Sequence, residues 1–291
     1  MDENALEKTL KAGQVLKEVA KSLEEKVAVG EKLIDVAEFV EKRILELGAK
    51  PAFPCNISIN SDAAHFTPAK NDERRFKKGD LVKIDIGAHI DGYIADMAVS
   101  IDLGDHSELI KASKEAVFNA IDAVKTGVDT AKLGEIIEET IRSHGFRPIV
   151  NLTGHGLLPY MAHAPPSIYN YATQRGVELK EGMVIAIEPF ATDGVGRVAE
   201  RNECEIYGLL NPKPLRSKLL RDILSEISEK YKTLPFAKRW LTRAPEIFLA
   251  KLVREGVLRE YPVLSEVSGG IVSQWEHTVI VEKESARVIT L

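Results

Sequence analysis

The chain has 291 residues, with 39 basic and 44 acidic side chains and a formal net charge of −5. This balance excludes a protein that holds nucleic acid or anionic lipid through bulk charge, because such proteins carry an excess of basic residues. Hydrophobic residues make up 44% and charged residues 29% of the sequence. This is the composition of a globular protein and not of a disordered, collagen-like or coiled-coil chain.

The N-terminus and the cysteines predict the cellular compartment. Residues 1–4 are acidic and lead directly into a helical pattern, without the basic start and apolar stretch of a secretory signal. No apolar run approaches the ~18–20 residues that a membrane span needs. Cys55 and Cys204 match no zinc-ribbon or redox spacing. We therefore expect a reduced, cytoplasmic protein that does not bind membranes.

The first part of the chain is predicted to be helical and then rich in strands. Apolar residues recur at helical steps in residues 6–19 and again in residues 36–45. Residues 56–60 alternate between polar and apolar side chains, as a short strand does. Residues 80–102 then have the pattern of two strands, with residues 89–92 as the hairpin turn between them.

The second part of the chain mixes helices and strands. Helical periodicity returns in residues 108–143, and strand-like segments follow at residues 184–187, 204–210 and 271–282. The stretch between the last two strands, about residues 212–262, has a mostly helical pattern. This order predicts a helical insertion between strands.

A short internal repeat suggests two similar halves. Residues 77–85, KKGDLVKID, align without gaps with residues 180–188, KEGMVIAIE. Each copy ends an apolar strand in a carboxylate, namely Asp85 and Glu188. If the repeat is real, each half delivers one acid to a shared seam. Chance is the alternative, because a lysine- and glycine-containing turn before a β-rich segment is common.

Two aspartates in the predicted hairpin suggest a metal site. Asp85 and Asp96 both lie within apolar strands, where a charged side chain needs an explanation. A four-residue turn over residues 89–92 places them directly opposite each other, whereas a two-residue turn over residues 91–92 leaves them diagonal on one face. At such distances like charges repel unless a cation lies between them. The pair therefore predicts a metal, with solvated surface acids as the alternative.

Three further residues strengthen the prediction of a metal site. Glu188 precedes a proline, Glu276 lies in a strongly apolar strand, and His155 is flanked by glycines. Four carboxylates and one imidazole suit a pair of hard or borderline divalent cations. Carboxylates can bridge two such cations about 3.5–4 Å apart, as two-metal hydrolases require. A lone histidine is more often structural, so His155 counts only as part of the set.

The candidate ligands and two flanking motifs resemble a known enzyme family. The motifs are PAFPCNISIN at residues 51–60 and AAH at residues 63–65. With the order of the ligands they resemble the type II methionine aminopeptidases over essentially the whole chain, and archaeal members most. The resemblance implies the pita-bread fold, an α/β (α+β) architecture of two pseudo-symmetric halves around a curved antiparallel sheet. It also implies a single catalytic domain over residues 1–291, with the helical insertion at about residues 212–262 in its second half.

The resemblance implies a role for each candidate ligand. Asp85 would bind one divalent metal ion, His155 and Glu188 would bind a second, and Asp96 and Glu276 would bridge both. Two ions per chain are therefore expected, and Co, Mn, Fe, Zn and Ni all remain open as their identity.

The resemblance also implies which residues contact the substrate. His65 and His163 match two histidines that bind substrate without binding metal, and with Glu188 they form the expected catalytic set. Phe53 and Ala162 match positions that line the pocket for the methionine side chain.

The implied function is removal of the initiator methionine from nascent polypeptides with a small second residue. The expected partners are the N-termini of nascent polypeptides, with action at the ribosome left open, and the chain is expected to be a monomer that binds no nucleic acid. An Xaa-Pro dipeptidase or aminopeptidase of the same fold is one alternative, but it usually carries a separate N-terminal domain. A non-catalytic binding protein of the same fold is the other, but it would be expected to have lost ligands.

Overall fold

A computed structural model describes residues 1–242 and 246–291 of the chain. A short 3-10 helix covers Lys238–Trp240. No helix in the described ranges has both the length and the apolar composition needed to cross a lipid bilayer. The α-helices of these ranges are α1 Glu3–Ala20, α2 Leu23–Lys26, α3 Leu33–Glu46, α4 Ser107–Asp122, α5 Thr130–Ser143, α6 Lys218–Lys230 and α7 Glu246–Arg254.

In the described ranges the strands form one large antiparallel sheet and three small ones. In chain order they are β1 Lys50–Pro51, β2 Asn56–Ile59, β3 Asp62–Ala64, β4 Leu81–Ile90, β5 Tyr93–Asp102, β6 Arg147–Pro148, β7 Thr153–Leu158, β8 Met161–Tyr169, β9 Val184–Ile187, β10 Phe190–Thr192, β11 Val198–Glu200, β12 Ile206–Leu209, β13 Phe236–Ala237, β14 Leu258–Tyr261, β15 Leu264–Glu266, β16 Val272–Gln274, β17 Glu276–Val281 and β18 Ala286–Val288. The large sheet has nine strands in the order β1-β4-β5-β17-β9-β7-β8, with β2 paired to β4 and β18 paired to β17. The small sheets are β16-β10-β6, β11-β15-β3 and β13-β12-β14.

Helices cover one face of the large sheet. Ile84, Ile86 and Met97 of β4 and β5 are buried in one apolar core with residues of α1 and α3. Ile185 and Val279 of β9 and β17 are buried in a second core with residues of α4 and α5. Because side chains alternate between the faces of a strand, the residues between these apolar positions point to the other face. The polar residues of the candidate site lie on that second face.

The repeated sequence segments have the same backbone structure. Gly79 and Gly182 each have a positive φ, 94° and 82° respectively, at the turn that precedes β4 or β9. In both turns the residue after the glycine donates its N–H to the carbonyl three residues earlier, at 3.2 and 3.1 Å. The two strands then flank the central pair β5 and β17. The two-halved, antiparallel architecture predicted from the sequence is thereby confirmed.

The hairpin between β4 and β5 has the shorter of the two predicted turns. Ile90 pairs directly with Tyr93, so the turn contains only Asp91 and Gly92, and residues 89 and 90 belong to β4. The φ angles of the two turn residues are 49° and 93°. An Asp-Gly pair adopts such angles readily, and this turn matches the twist of the flanking strands. The predicted turn over residues 89–92 is therefore wrong.

The segment of residues 212–262 contains both helices and strands. Its helices are α6 and α7, but β13 and β14 pair with β12 in a small sheet of their own. Leu220, Ile223 and Leu252 of the helices pack with Phe236 and Leu258 of the strands in a separate apolar cluster. Residues 243–245 of the predicted insertion lie outside the described residues. That this segment is an insertion within one domain stays a prediction.

Candidate active site

Three of the four candidate carboxylate ligands lie in one row across the sheet. Asp85 on β4 faces Ala98 on β5, and Ala98 in turn faces Glu276 on β17. Glu188 follows β9 directly, and the register of β9 with β17 places it opposite Glu276. Residues that face each other across antiparallel strands have Cβ atoms on the same face, about 5 Å apart. The small side chain of Ala98 leaves open space between Asp85 and Glu276.

The other two candidate ligands lie in the neighbouring row. Asp96 on β5 faces Gly87 on β4, and His155 on β7 faces Ala186, which faces Thr278 on β17. The Thr278 hydroxyl links the row: it accepts a hydrogen bond from the Asp96 N–H at 2.8 Å and donates one to the Asp96 carbonyl at 2.7 Å. The strand order thus places Asp96 near the middle of the five-strand span and His155 at one end.

The functional atoms of the two rows are close together. His155 Nε2 lies 3.5 Å from Glu188 Oε1 and 3.9 Å from Asp96 Oδ2. Ligand atoms of Asp96, His155 and Glu276 all lie within 4.8 Å of one another. The carboxyl groups of Asp85 and Asp96 are within hydrogen-bonding distance of each other. We refer to these five side chains as the carboxylate–histidine cluster.

Burial and mutual repulsion raise the pKa values of the clustered acids. Burial raises the pKa of Asp85 to about 7. The pKa values of Asp96, Glu188 and Glu276 are raised well above their usual range, mainly by burial and further by the neighbouring carboxylates. Among the described residues, one oxygen each of Asp85, Asp96 and Glu276 is buried without a hydrogen-bond partner. Such groups are costly unless a cation or proton satisfies them.

His155 is held in the form that can bind a metal through Nε2. Its Nδ1 lies 3.3 Å from the carbonyl oxygen of Gly156. A carbonyl only accepts hydrogen bonds, so Nδ1 carries the hydrogen and Nε2 presents a lone pair toward Glu188 and Asp96. Burial lowers the pKa of His155 to about 4, which keeps the ring neutral at physiological pH. A fixed hydrogen bond on the distal nitrogen is usual for histidines that bind metals.

The donor set fits divalent cations. Four carboxylates and one neutral imidazole are the ligands that hard and borderline divalent ions prefer. The three unpaired carboxylate oxygens point to missing positive charge within the cluster. A cation at this place would relieve both the repulsion and the unpaired oxygens.

Gln274 is a supporting residue that sequence reasoning missed. Its side chain is 1% exposed, and its Nε2 donates a hydrogen bond of 3.3 Å to Glu276 Oε2. The same amide contacts Asp85. Gln274 therefore joins two carboxylates of the first row. The sequence carried one signal for it: a glutamine stands two residues before Glu276 in an otherwise apolar segment.

His65 and His163 both line a cavity of about 280 Å³ that opens over the cluster. The ring of His163 lies 4.6 Å from the ring of His155, so it sits directly beside the cluster. His65 lies in the N-terminal half of the chain and has a φ of 65°. Its Nδ1 lies 3.3 Å from the carbonyl oxygen of Pro262. Burial lowers the pKa of His65 to about 4 and that of His163 well below its usual range. Both imidazoles are therefore neutral near pH 7.

Tyr261 completes this wall of the cavity and was not predicted. Its ring lies 5.6 Å from that of His65 and 6.2 Å from that of His163. Tyr261 is on β14, nearly 200 residues after His65 in the chain, and no local pattern in the sequence links the two. The cavity is also lined by Arg259 of the same strand.

Phe53 and Ala162 lie in one buried apolar cluster next to the site. The cluster also contains Ile94 and Leu234, and Phe53 lines the cavity itself. The ring of Phe53 packs against Gly87, where a Cβ atom would come within 2.2 Å of it. The glycine opposite Asp96 thus allows an aromatic ring to lie beside the carboxylates.

A buried ion pair holds the segment that carries Phe53. Arg239 pairs with Glu41 of α3, and the indole of Trp240 donates to the same carboxylate at 2.8 Å. Glu41 also accepts the backbone N–H of Cys55 at 3.2 Å. Arg239 reaches the hydroxyl of Thr67 at 2.8 Å. This network links α3, the loops on either side of β2 and β3, and the segment after β13, and sequence reasoning did not foresee it.

The sequence profile of metallopeptidase family M24 matches residues 7–283. The chain belongs to this family, among the methionine aminopeptidases. It is 67% identical to the methionine aminopeptidase of Archaeoglobus fulgidus over 290 residues, and the alignment covers 100% of both chains. The methionine aminopeptidase of Thermococcus onnurineus is 50% identical, again over 100% of both chains.

Solved structures agree with this family assignment. The methionine aminopeptidase of Thermotoga maritima matches with a TM-score of 0.75 and 25% identity, over 100% of this chain and 98% of that one. The prolidase of Pyrococcus furiosus has the same fold, with a TM-score of 0.65 and 22% identity, but this chain covers only 65% of it. The pita-bread fold predicted from the sequence is confirmed. As an M24 metallopeptidase, the chain uses divalent metal, and Asp96, His155 and Glu276 of the carboxylate–histidine cluster are close enough together to hold an ion.

The raised pKa of Asp85 predicts how pH and metal affect stability. Its pKa rises from ~3.9 in an unfolded chain to about 7 in the folded, metal-free protein. The folded state therefore binds this proton more tightly, and stability is lost as pH rises from about 4 to 7. We expect metal-free protein to unfold at a lower guanidinium chloride concentration at pH 8 than at pH 5. Mn²⁺ should raise the midpoint more at pH 8, because it binds ionised carboxylates.

The double variant Asp85→Asn/Glu276→Gln provides the control for this experiment. It removes two ionisable groups of the cluster, so Mn²⁺ should shift its midpoint much less at pH 8. An equal Mn²⁺ effect at both pH values in the unaltered protein would contradict the account.

Proposed function

We propose that this M24 metallopeptidase removes the initiator methionine from new polypeptides whose second residue is small. The observation that carries the proposal is the carboxylate–histidine cluster, in which three buried carboxylate oxygens lack partners at the floor of a cavity. The choice of methionine is supported by full-length identity of 67% to a protein named methionine aminopeptidase. The prolidases share the fold at lower identity and over a smaller part of their length, so the Xaa-Pro alternative is not favoured.

The strand order supports a site for two divalent ions. Asp85 lies at the β4 end of the rows, and His155 and Glu188 lie at the β7 and β9 end. Asp96 and Glu276, on the two central strands, would then hold both ions. When bound, such ions supply Lewis acidity: they polarise the scissile carbonyl and make water acidic enough to attack near neutral pH. Formal charge also balances, since two divalent cations offset four carboxylates.

Glu188 is the residue we assign to proton transfer. It lies at the end of β9, and its side chain is only 13% exposed. Its Oε1 lies 3.5 Å from His155 Nε2, so this carboxylate is held within the cluster, and a carboxylate within reach of the attacking water can act as a general base. Glu188 can take a proton from the attacking water and deliver it to the departing amine.

The two histidines outside the cluster have different tasks. The Nδ1 of His65 faces a carbonyl, so in the neutral ring Nε2 is an acceptor. It is suited to accept a hydrogen bond from the N–H of the scissile amide. His163, also neutral and next to His155, can donate to the carbonyl oxygen as negative charge develops there. A donor that acts on the developing oxyanion stabilises the transition state more than the substrate.

The methionine side chain is proposed to lie on the Phe53 side of the cavity. Phe53 and Ala162 share an apolar cluster there with Leu234. An unbranched thioether packs well against aromatic and aliphatic groups, and its burial contributes roughly 2 kcal/mol. The free α-amine would then lie next to the carboxylate–histidine cluster, which makes the enzyme an exopeptidase.

The remaining assignments are proposals on the same basis. We place the protein in the cytoplasm as a monomer that acts on the N-termini of nascent polypeptides. Residues 1–291 would form one catalytic domain, with residues 212–262 inserted in its second half. Tyr261 and Arg259 of that segment line the cavity, so the segment contributes to the site.

Peptide hydrolysis with and without metal tests the proposed function. Met-Ala-Ser should be cleaved after methionine, exhaustive chelation should abolish this activity, and Mn²⁺ should restore it. Met-Trp-Ser should be cleaved at least tenfold less efficiently, because a bulky second residue collides with the wall that carries His65 and His163. Release of free methionine, measured by chromatography, gives kcat/KM for each peptide.

Two results would refute the proposal. Faster cleavage of an Ala-Pro peptide than of Met-Ala-Ser would favour the Xaa-Pro alternative. Absence of turnover with every peptide, in protein whose metal content has been verified, would favour a binding protein.

The variants His65→Ala and His163→Ala separate catalytic from packing roles. We expect each to keep its bound metal and lose kcat by roughly 10²–10³, as removal of one transition-state hydrogen bond typically does, with a smaller change in KM. Metal content and steady-state kinetics are measured on the same preparations. Retained metal with nearly unchanged kcat in both variants would show that these rings only pack.

A further inference from the structure

Arg259 lies at the outer end of the cavity wall that begins at the cluster. It is two residues before Tyr261 on β14, so both side chains extend from the same face of that strand. Its guanidinium carbon lies 4.5 Å from the centre of the Tyr261 ring. Arg259 faces Gly208 of β12, which has no side chain to cover it. The residue is exposed and lines the cavity together with His65 and His163.

Arg259 has an unpaired positive charge. In residues 1–242 and 246–291, no carboxylate lies within ion-pair distance of its guanidinium. Its charge nevertheless reaches the site: burial is the main reason that the pKa values of His65 and His163 are low, and Arg259 lowers both further. The guanidinium contacts the side chain of Tyr261 but has no carboxylate partner among these residues, and with this exposure it is suited to bind a carboxylate with two parallel hydrogen bonds.

The distance along the cavity wall from the cluster to Arg259 corresponds to a few residues of extended peptide. The ring centres of His155 and His163 are 4.6 Å apart, and those of His163 and Tyr261 are 6.2 Å apart. The guanidinium carbon of Arg259 lies 4.5 Å beyond, measured from the Tyr261 ring centre. An extended peptide advances ~3.4 Å per residue. A substrate whose first peptide bond lies at the cluster can therefore reach Arg259 with about its third to fifth residue.

We propose that Arg259 is a specificity-determining residue that binds a carboxylate in the downstream part of the substrate. This inference rests on the proposed function, because it assumes that a peptide bond is cleaved at the cluster. The carboxylate is either an aspartate or glutamate side chain at the third to fifth position or the C-terminus of a short peptide. The formal charges of four carboxylates and two divalent ions cancel. The positive charge of Arg259 is therefore left uncompensated along this wall.

The test compares acidic peptides with neutral partners of the same shape. Amidated pentapeptides carry Met-Ala at the start and either Asp or Asn at position three, four or five. A second arm compares Met-Ala-Ala with a free C-terminus to its amide, which separates the two sources of the carboxylate. The measured quantity is the acidic-to-neutral ratio of kcat/KM on one enzyme preparation with Mn²⁺ at pH 7.5. A ratio cancels any change that a variant causes in the chemical step.

We expect a ratio of about three- to fivefold at the best position, as befits an exposed ion pair. The preference should appear mainly in KM and shrink toward one at high salt, because exposed charges are screened. Arg259→Gln should bring the ratio to one, and Arg259→Lys should retain part of it. Arg175→Gln, which removes an exposed arginine outside the cavity, is the matched control and should keep the full ratio.

The possible failures are distinguishable. If the unaltered enzyme cleaves acidic and neutral peptides equally well at all positions, the role of Arg259 is refuted while the proposed function stands. The same conclusion follows if Arg259→Gln keeps the preference. If no peptide beginning with Met-Ala is cleaved by metal-loaded enzyme, the proposed function fails and this inference fails with it.

Discussion

Repulsion among four clustered carboxylates, two of them buried and two half-buried, is the constraint on which the rest of this structure depends. Asp96 and Glu276 are 3% and 1% exposed, and the pKa values of all four acids are raised by burial, with mutual repulsion adding to the shift for Asp96, Glu188 and Glu276. Such a group opposes folding unless positive charge is supplied, because buried charges without partners are costly. Metal binding offsets this cost, because cations that bind only the folded state stabilise it.

The fold places these acids accurately because Asp85, Asp96 and Glu276 lie on strands and Glu188 directly follows one. Antiparallel pairing fixes Asp85, Ala98 and Glu276 in one row and Asp96 and His155 in the next. Small residues between the ligands keep the rows open, and Gln274 fixes the orientation of Glu276. Phe53 and His65, which we propose to contact substrate, lie on loops next to these strands, whereas His163 lies on β8. The buried pair of Glu41 and Arg239 ties these loops to α3.

Local patterns in the sequence predicted the parts of the structure that depend on local physics. Period-two alternation placed Asp85 and Asp96 on one face, and the lysine-glycine repeat predicted the matching turns at Gly79 and Gly182, both of which have positive φ. Apolar patterning does not mark where strand pairing ends, so the sequence allowed a hairpin turn of four or two residues, and the structure has the shorter one. His155 was joined to the acids by its chemistry as a metal ligand, and the family resemblance supplied its pairing with Glu188. Tyr261 and Arg239 act through contacts distant in sequence, which no local pattern reveals. Gln274 stands only two residues before Glu276, and that spacing was its signal in the sequence.

Anomalous diffraction from crystals grown with Mn²⁺ tests the central claim most directly, because it locates the ions without reference to activity. The account predicts two anomalous peaks about 3.5–4 Å apart on the face of the sheet opposite the helices. One peak should lie next to Asp85 and the other next to His155 and Glu188, with Asp96 and Glu276 bound to both. A single peak that none of these carboxylates bridges, or peaks only outside the carboxylate–histidine cluster, would contradict it.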